Sequence, residues 1–150
     1  MNQEYKLEVL KKVDAKAVAE ITVLLKQLNP DFSPPVKMED IKRVIDFPEA
    51  IIFVARDKDK KIIGMVTLIG YPQVEGMMKV WIEDLVVDKE HRRKGLGKKL
   101  INKSLKKAKE LRYKRVCLTS RPSRGKANNL YKGMGFDLKE TNYYKYRLDI

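Results

Sequence analysis

Apolar and polar positions change period along the chain, and each period predicts an element. Residues 5–10 alternate weakly, as an edge strand does. Val18, Ile21, Leu25 and Leu28 then recur at three- and four-residue spacing on one helical face, with Asp14 placed to cap its start. Asn29-Pro30 ends that helix, Pro34-Pro35 stiffens a loop, and Ile41, Val44 and Ile45 mark a short second helix. Residues 51–56 and 62–69 are β-branched runs about Asp57-Lys58-Asp59-Lys60, a hairpin signal. Residues 77–88 are the longest strand candidate, and Leu96, Leu100, Leu105, Ala108 and Leu111 follow as an amphipathic helix. Residues 115–119 read as a buried strand, 127–134 as a helical turn or two, and 136–148 as one or two closing strands. The order β-α-α-β-β-β-α-β-α-β is α/β in content, antiparallel first and then with a parallel crossover.

Composition narrows the class. At 150 residues with 43% hydrophobic content the chain is expected to form one domain, residues 1–150, with a proper core. No apolar run approaches the ~20 residues that cross a bilayer, and residues 1–12 are polar and alternating. The expected location is therefore cytoplasmic, without membrane partners. One cysteine, Cys117, excludes an internal disulfide, and one histidine, His91, excludes a histidine-based metal site. Cys117 reads as a buried, inert thiol in an apolar strand. No metal is expected. The net charge of +13 draws heavily on Lys98, Lys99, Lys103, Lys106, Lys107 and Lys109 of one helix. No aromatic or Arg-rich interleaving accompanies them, so the wet face of that helix is a better reading than a nucleic-acid surface.

The chemistry begins at Arg92-Arg93-Lys94-Gly95-Leu96-Gly97, where a strand feeds a basic, glycine-bearing turn that opens a helix. Small residues let backbone N–H groups converge on an anion, and the N–H groups and dipole of the helix start hold it. Three cations lead in, so a pyrophosphate would suit. A Walker loop needs a frame ending Gly-Lys-Ser/Thr, and a dinucleotide fingerprint needs a small residue where Leu100 stands; neither fits.

The spacing Arg92-x-x-Gly95-x-Gly97 resembles the acetyl-coenzyme A loop of the GNAT N-acetyltransferase superfamily. The strand Ile82-Glu83-Asp84-Leu85-Val86-Val87 before it and Leu130-Tyr131-Lys132-Gly133-Met134-Gly135-Phe136 after it resemble the flanking motifs of that family. The resemblance runs over about residues 51–148. It implies an α/β, mostly antiparallel twisted sheet of about six to seven strands with about four helices. It also implies that a central parallel pair, holding Val86 and Val116, splays apart to admit the cofactor.

On the same resemblance, acetyl-coenzyme A is the cosubstrate and a primary amine the acceptor, joined by direct attack in a ternary complex. Arg92, Arg93, Lys94, Gly95, Leu96, Gly97 and Lys98 would cradle the pyrophosphate, with Gly95 and Gly97 needed for a positive φ or close approach. The backbone of Leu85, Val86 and Val87 would pair with the pantetheine arm, Leu85 and Val87 facing one way and Asp84 and Val86 the other. Tyr131 sits where the family places the general acid that protonates the coenzyme A thiolate. Glu83 is the candidate base for the ammonium proton, with Asp84, expected on the opposite face, and water as rivals. Leu130 and Phe136 are expected in the core, and His91 at the rim.

One slot departs from the family. Arg124 stands where relatives often carry Asn seven residues before the tyrosine, and Asn128 and Asn129 sit too near Tyr131 to replace it. Arg124 is therefore a cofactor-binding candidate of a different kind. Substrate choice is expected in residues 29–47 and 70–77, which contain no code. The positive charge favours an acidic or phosphorylated acceptor. The alternatives are a basic nucleic-acid-binding module and a catalytically inactive coenzyme A sensor. Dimerisation is common among such relatives, so a homodimer is a further expectation.

Overall fold

The computed structural model describes residues 4–33 and 35–150, so Pro34 and the first three residues of the polar N-terminus lie outside the described residues. The chain divides into two compact units, Met1–Leu118 and Thr119–Ile150.

The first unit is built on a four-stranded antiparallel sheet in the order β1-β2-β3-β4, with β1 Tyr5–Val9, β2 Ala50–Asp57, β3 Ile62–Pro72 and β4 Met78–Val87. Helices α1 Ala15–Leu28 and α2 Met38–Asp46 lie between β1 and β2 in sequence, and α3 Leu96–Glu110 follows β4. Asp14 caps α1 as the sequence predicts, accepting from the Ala17 N–H at 2.8 Å. The hairpin turn closes on Asp57, whose Oδ1 accepts from the N–H groups of Asp59 and Lys61, both at 2.9 Å.

The two faces of the sheet bury different elements. Ile52, Val54, Ile62, Met65 and Val86 pack with Ile21 and Leu24 of α1 and Ile41 of α2. The next residues along the strands turn to α3: a Cβ on Gly64 would stand 3.2 Å from Leu100. Helix α3 buries Leu96, Leu100, Ile101, Ser104 and Ala108 and turns most of its lysines to solvent. The stripe includes Ile101 and Ser104, which the sequence reading passed over, while Leu111 lies past the helix end and is exposed.

Two strand expectations need correction. Residues 115–119 form no strand: Cys117 alone makes a parallel bridge to Trp81, through Cys117 N–H to Val80 C=O and Ile82 N–H to Cys117 C=O, both 2.8 Å. A strand persists only where a neighbour continues its ladder, and here the pairing stops after one residue. Beyond that bridge the two segments make no further pairing among the described residues. Cys117 itself is half-buried, not enclosed.

The second unit carries α4 Gly125–Gly133 and then a segment, residues 137–150, with neither helix nor strand. The expected closing strands are therefore absent among the described residues, and the sheet has four strands, not six or seven. Tyr143, Tyr144 and Tyr146 alternate in part with polar residues, yet all are more than four-fifths exposed. Alternation alone does not make a strand without a ladder to join.

Helix α4 ends in a Schellman motif. Phe136 N–H bonds the Tyr131 carbonyl at 3.0 Å and Gly135 N–H bonds the Lys132 carbonyl at 3.1 Å. Gly135 takes φ +96°, which a side chain would strain. The Phe136 ring meets Tyr131 edge to face, centroids 6.0 Å apart. Tyr131 is the buried member, while Leu130 and Phe136 are half-buried. Among the described residues no helix is long and apolar enough to cross a membrane.

Candidate functional site

β4 carries the first part of the site through an irregularity. Met65 pairs with Val86 but Thr67 pairs with Glu83, so a step of two residues on β3 matches three on β4. This is a β-bulge. Asp84 sits in it with φ +54°, a left-handed conformation that Asp tolerates better than most residues. Before the bulge Val80 and Ile82 are the buried residues; after it Val86 joins the core of α1 and α2, and Val87 meets Gly97 of α3. The bulge inverts the alternation, which corrects one expectation. Glu83, opposite Thr67, and Asp84, which accepts from Thr67 Oγ1 at 3.2 Å, share a face. The order Asp84 and Val86 against Val87 holds as expected beyond the bulge.

Their electrostatics follow from that sharing. Burial pushes the Glu83 carboxyl up from its ordinary range, and the neighbouring Asp84 charge adds to it. Asp84 is also pushed up by burial, and the Thr67 hydrogen bond opposes this in part. A carboxylate with a raised pKa is a stronger base than a solvated one.

Thr67 and Asp84 also form part of a recess of about 540 Å³. Its walls come from Ile21 and Leu25 of α1, Phe32 and Val36 of the following loop, and Ile41 and Val44 of α2. None of these wall residues was singled out in sequence as a ligand contact. Only the placement of the loop in the variable segment 29–47 pointed there.

The second part is the joint between β4 and α3. Asp88 caps a 3₁₀ turn, Lys89–His91, through the Glu90 N–H at 3.0 Å. Arg92 turns back: its Nε donates to the Val87 carbonyl at 2.8 Å, and Gln27 Oε1 accepts from the Lys89 N–H at 2.9 Å. Gln27, unmarked in the sequence reading, thus ties the end of α1 to the joint. Arg93 and Gly95 take φ +64° and +78°. Alternating left-handed residues turn successive N–H groups inward.

No side chain caps α3 among the described residues, and its first turn holds no acidic residue. Lys99 N–H is the first to close on Gly95, at 3.1 Å, so those of Leu96, Gly97 and Lys98 have no intrahelical acceptor. Gly95 needs its conformation. Gly97 has no positive φ, and an added Cβ would meet only Val87 at 3.8 Å, so its value is space for a close approach. Lys94 reaches Glu4 at 3.9 Å and is largely exposed. These features fit a pyrophosphate group. Beyond Ile82 the Cys117 pairing stops, so Leu85, Val86 and Val87 of β4 have no strand on their other side among the described residues, and the Val87 carbonyl is held by Arg92.

The second unit holds the two remaining candidates. Tyr131 lies on α4, and burial raises its phenol above the usual range while the Arg124 charge opposes the shift. A phenol so placed keeps its proton at neutral pH and can donate it. Arg124 precedes α4 and is exposed, and Asn128 Nδ2 is spent on the Arg121 carbonyl at 2.9 Å.

Comparison with known proteins gives the family. None of the curated proteins matches the chain significantly. Among solved structures it is similar to an aminoglycoside acetyltransferase from an uncultured soil metagenomic sample in complex with trehalose, at 23% identity and TM-score 0.86, covering 99% of each chain. It is also similar to an acetyltransferase from Trypanosoma brucei, at 26% identity and TM-score 0.77, over 97% of this chain and 99% of that one. Glucosamine-6-phosphate N-acetyltransferase from Arabidopsis thaliana is similar at 20% identity and TM-score 0.79, over 96% and 99%. The acetyltransferase (GNAT) family model matches residues 21–136. With that span the chain belongs to the GNAT acetyltransferase family, acyltransferases that use acetyl-coenzyme A as cosubstrate.

Proposed function

We propose that residues 1–150 work as one cytoplasmic N-acetyltransferase domain that moves an acetyl group from acetyl-coenzyme A to a primary amine by direct attack. The observation that carries this reading is the run from Glu83 to Lys98. It holds two carboxyls of raised pKa at one end and an uncapped, glycine-opened helix start at the other.

The pyrophosphate would rest on the N–H groups of Leu96, Gly97 and Lys98, with Arg93, Lys94 and Lys98 supplying the charge around them. Arg92 steadies the joint through the Val87 carbonyl. Leu85, Val86 and Val87 would bond the pantetheine arm as a strand edge, and Arg124 would meet the cofactor from its own unit. Bound acetyl-coenzyme A supplies the activated thioester. Glu83 takes the proton from the incoming ammonium, directly or through water, and the Tyr131 hydroxyl gives its proton to the departing sulfur. Most of the rate comes from orientation, since no covalent enzyme intermediate is needed.

Replacing Tyr131 by Phe tests the assignment, because it removes the proton and little else. The turnover number should fall about 100-fold with coenzyme A affinity unchanged. An unaltered turnover number would remove Tyr131 from the chemistry.

A further inference from the structure

We propose that the acceptor is a primary amine with an apolar body, its ammonium held at Asp84 and its hydrocarbon lodged in the recess between α1, α2 and the sheet. This deepens the acetyltransferase reading and rests on it.

The recess, at about 540 Å³, is within the roughly 300–1,000 Å³ of small-molecule sites. Its walls are mostly aliphatic or aromatic, from Ile21 and Leu25 to Phe32, Val36, Ile41 and Val44, with Lys37, Asp40, Thr67 and Asp84 as the polar members. The polar groups that reach it are few and partly spent. The Thr67 hydroxyl donates to Asp84 at 3.2 Å, and Asp40 Oδ2 accepts from the Lys37 N–H at 3.1 Å. A ligand rich in hydroxyls would lose its water there and find few partners, which is costly. A hydrocarbon body loses nothing of that kind and gains from leaving water.

Charge sets the other end. Asp84 opens to solvent inside the recess, and Glu83 shares its face. The lining carries Asp84 and Asp40 against one cation, Lys37, so it is net acidic, attracting a cation and repelling the acidic or phosphorylated acceptor that the overall charge of +13 favours. The local field thus reverses the expectation drawn from composition.

The test pairs kinetics with direct binding on the full chain. n-Propylamine to n-hexylamine, 2-phenylethylamine and sisomicin are assayed by thiol release from acetyl-coenzyme A. The ratio kcat/KM should rise roughly fourfold per methylene from propyl to hexyl. Binding of n-hexylamine and of acetyl-coenzyme A is measured separately by calorimetry. Asp84→Asn, which keeps the shape and suits a left-handed backbone, should weaken n-hexylamine at least about tenfold. Val44→Lys should do the same by bringing a second cation to the recess wall beside Lys37. A flat chain-length profile, or a preference for sisomicin, overturns the proposal. If acetyl-coenzyme A binds and n-hexylamine does not, the substrate class falls and the transferase stands. If n-hexylamine binds in an Asp84-dependent way and acetyl-coenzyme A does not, the pocket assignment stands and the transferase reading falls.

Discussion

Helices α1 and α3 begin in opposite ways. α1 carries its own anion: the Asp14 carboxylate accepts from the Ala17 N–H at 2.8 Å and faces the positive end of the helix dipole. α3 begins at Gly95, has no side-chain cap among the described residues and no acidic residue in its first turn. Arg93, Lys94 and Lys98 instead add positive charge around N–H groups that already lack partners. A start of the first kind is finished by its own sequence and serves stability. The second lacks a cap of its own, and on the proposed reading an anion from outside completes it.

The largest effect should come from filling the open start. Gly97→Leu leaves the backbone unstrained, since Gly97 has no positive φ and little stands near its Cβ position. Helix propensity even favours the change by about 1 kcal/mol. Acetyl-coenzyme A affinity, measured by calorimetry, should fall at least about 100-fold while the melting temperature holds or rises. Retained affinity would erase the distinction between the two helix starts.

Giving α3 an anion of its own should act in the same direction, less strongly. Lys98→Glu puts a carboxylate in the first turn, where it complements the dipole as Asp14 does in α1. Stability should rise by about 0.5 kcal/mol, and acetyl-coenzyme A affinity should drop about tenfold. A variant that binds the cofactor as well as the parent would show that charge at this turn is incidental.

The contrast was half legible in the sequence. Asp14 announces its cap because the apolar spacing after it fixes where the helix starts. Arg92-x-x-Gly95-x-Gly97 announces the open start because two glycines and three cations rarely converge for a plain turn. The bulge at Asp84 was hidden, since an unbroken apolar and acidic run from Ile82 to Val87 gives alternation no place to slip. Consecutive Glu83 and Asp84, the second of a type that tolerates positive φ, was the available sign. The recess was hidden for a different reason. Its walls are ordinary helix-face residues, and only the gap between α1 and α2 turns them into a site. The closing strands were over-read, because alternation in residues 136–148 reports a capacity to pair and says nothing of a partner.

Removing the finished cap gives a smaller effect with the opposite signature. Asp14→Ala should cost about 1 kcal/mol in chemical denaturation and leave acetyl-coenzyme A affinity unchanged. A loss of affinity equal to the loss at α3 would mean that both starts serve binding, α1 acting through Gln27 at its far end, which accepts from the Lys89 N–H.

The smallest effect sharpens the comparison at the level of single carboxylates. Asp14 is matched by a helix N–H, whereas Asp84 keeps a carboxyl raised by burial that one Thr67 hydrogen bond only partly relieves. A folded pKa above the unfolded one means that the folded state binds the proton more tightly. The resulting stability is present below the unfolded aspartate range, roughly pH 4, and is lost as pH rises through the folded value. At neutral pH the ionised Asp84 therefore works against the fold. Asp84→Asn should raise stability at pH 7 by less than about 1 kcal/mol, since solvent screens this open group. Denaturation midpoints taken from pH 7 down to pH 3 should show the variant's advantage shrinking as Asp84 of the parent protonates. An advantage that stayed constant across that range would place its origin outside ionisation. A variant less stable at pH 7 would mean that the carboxylate belongs with Asp14, as a group the fold uses to hold itself together.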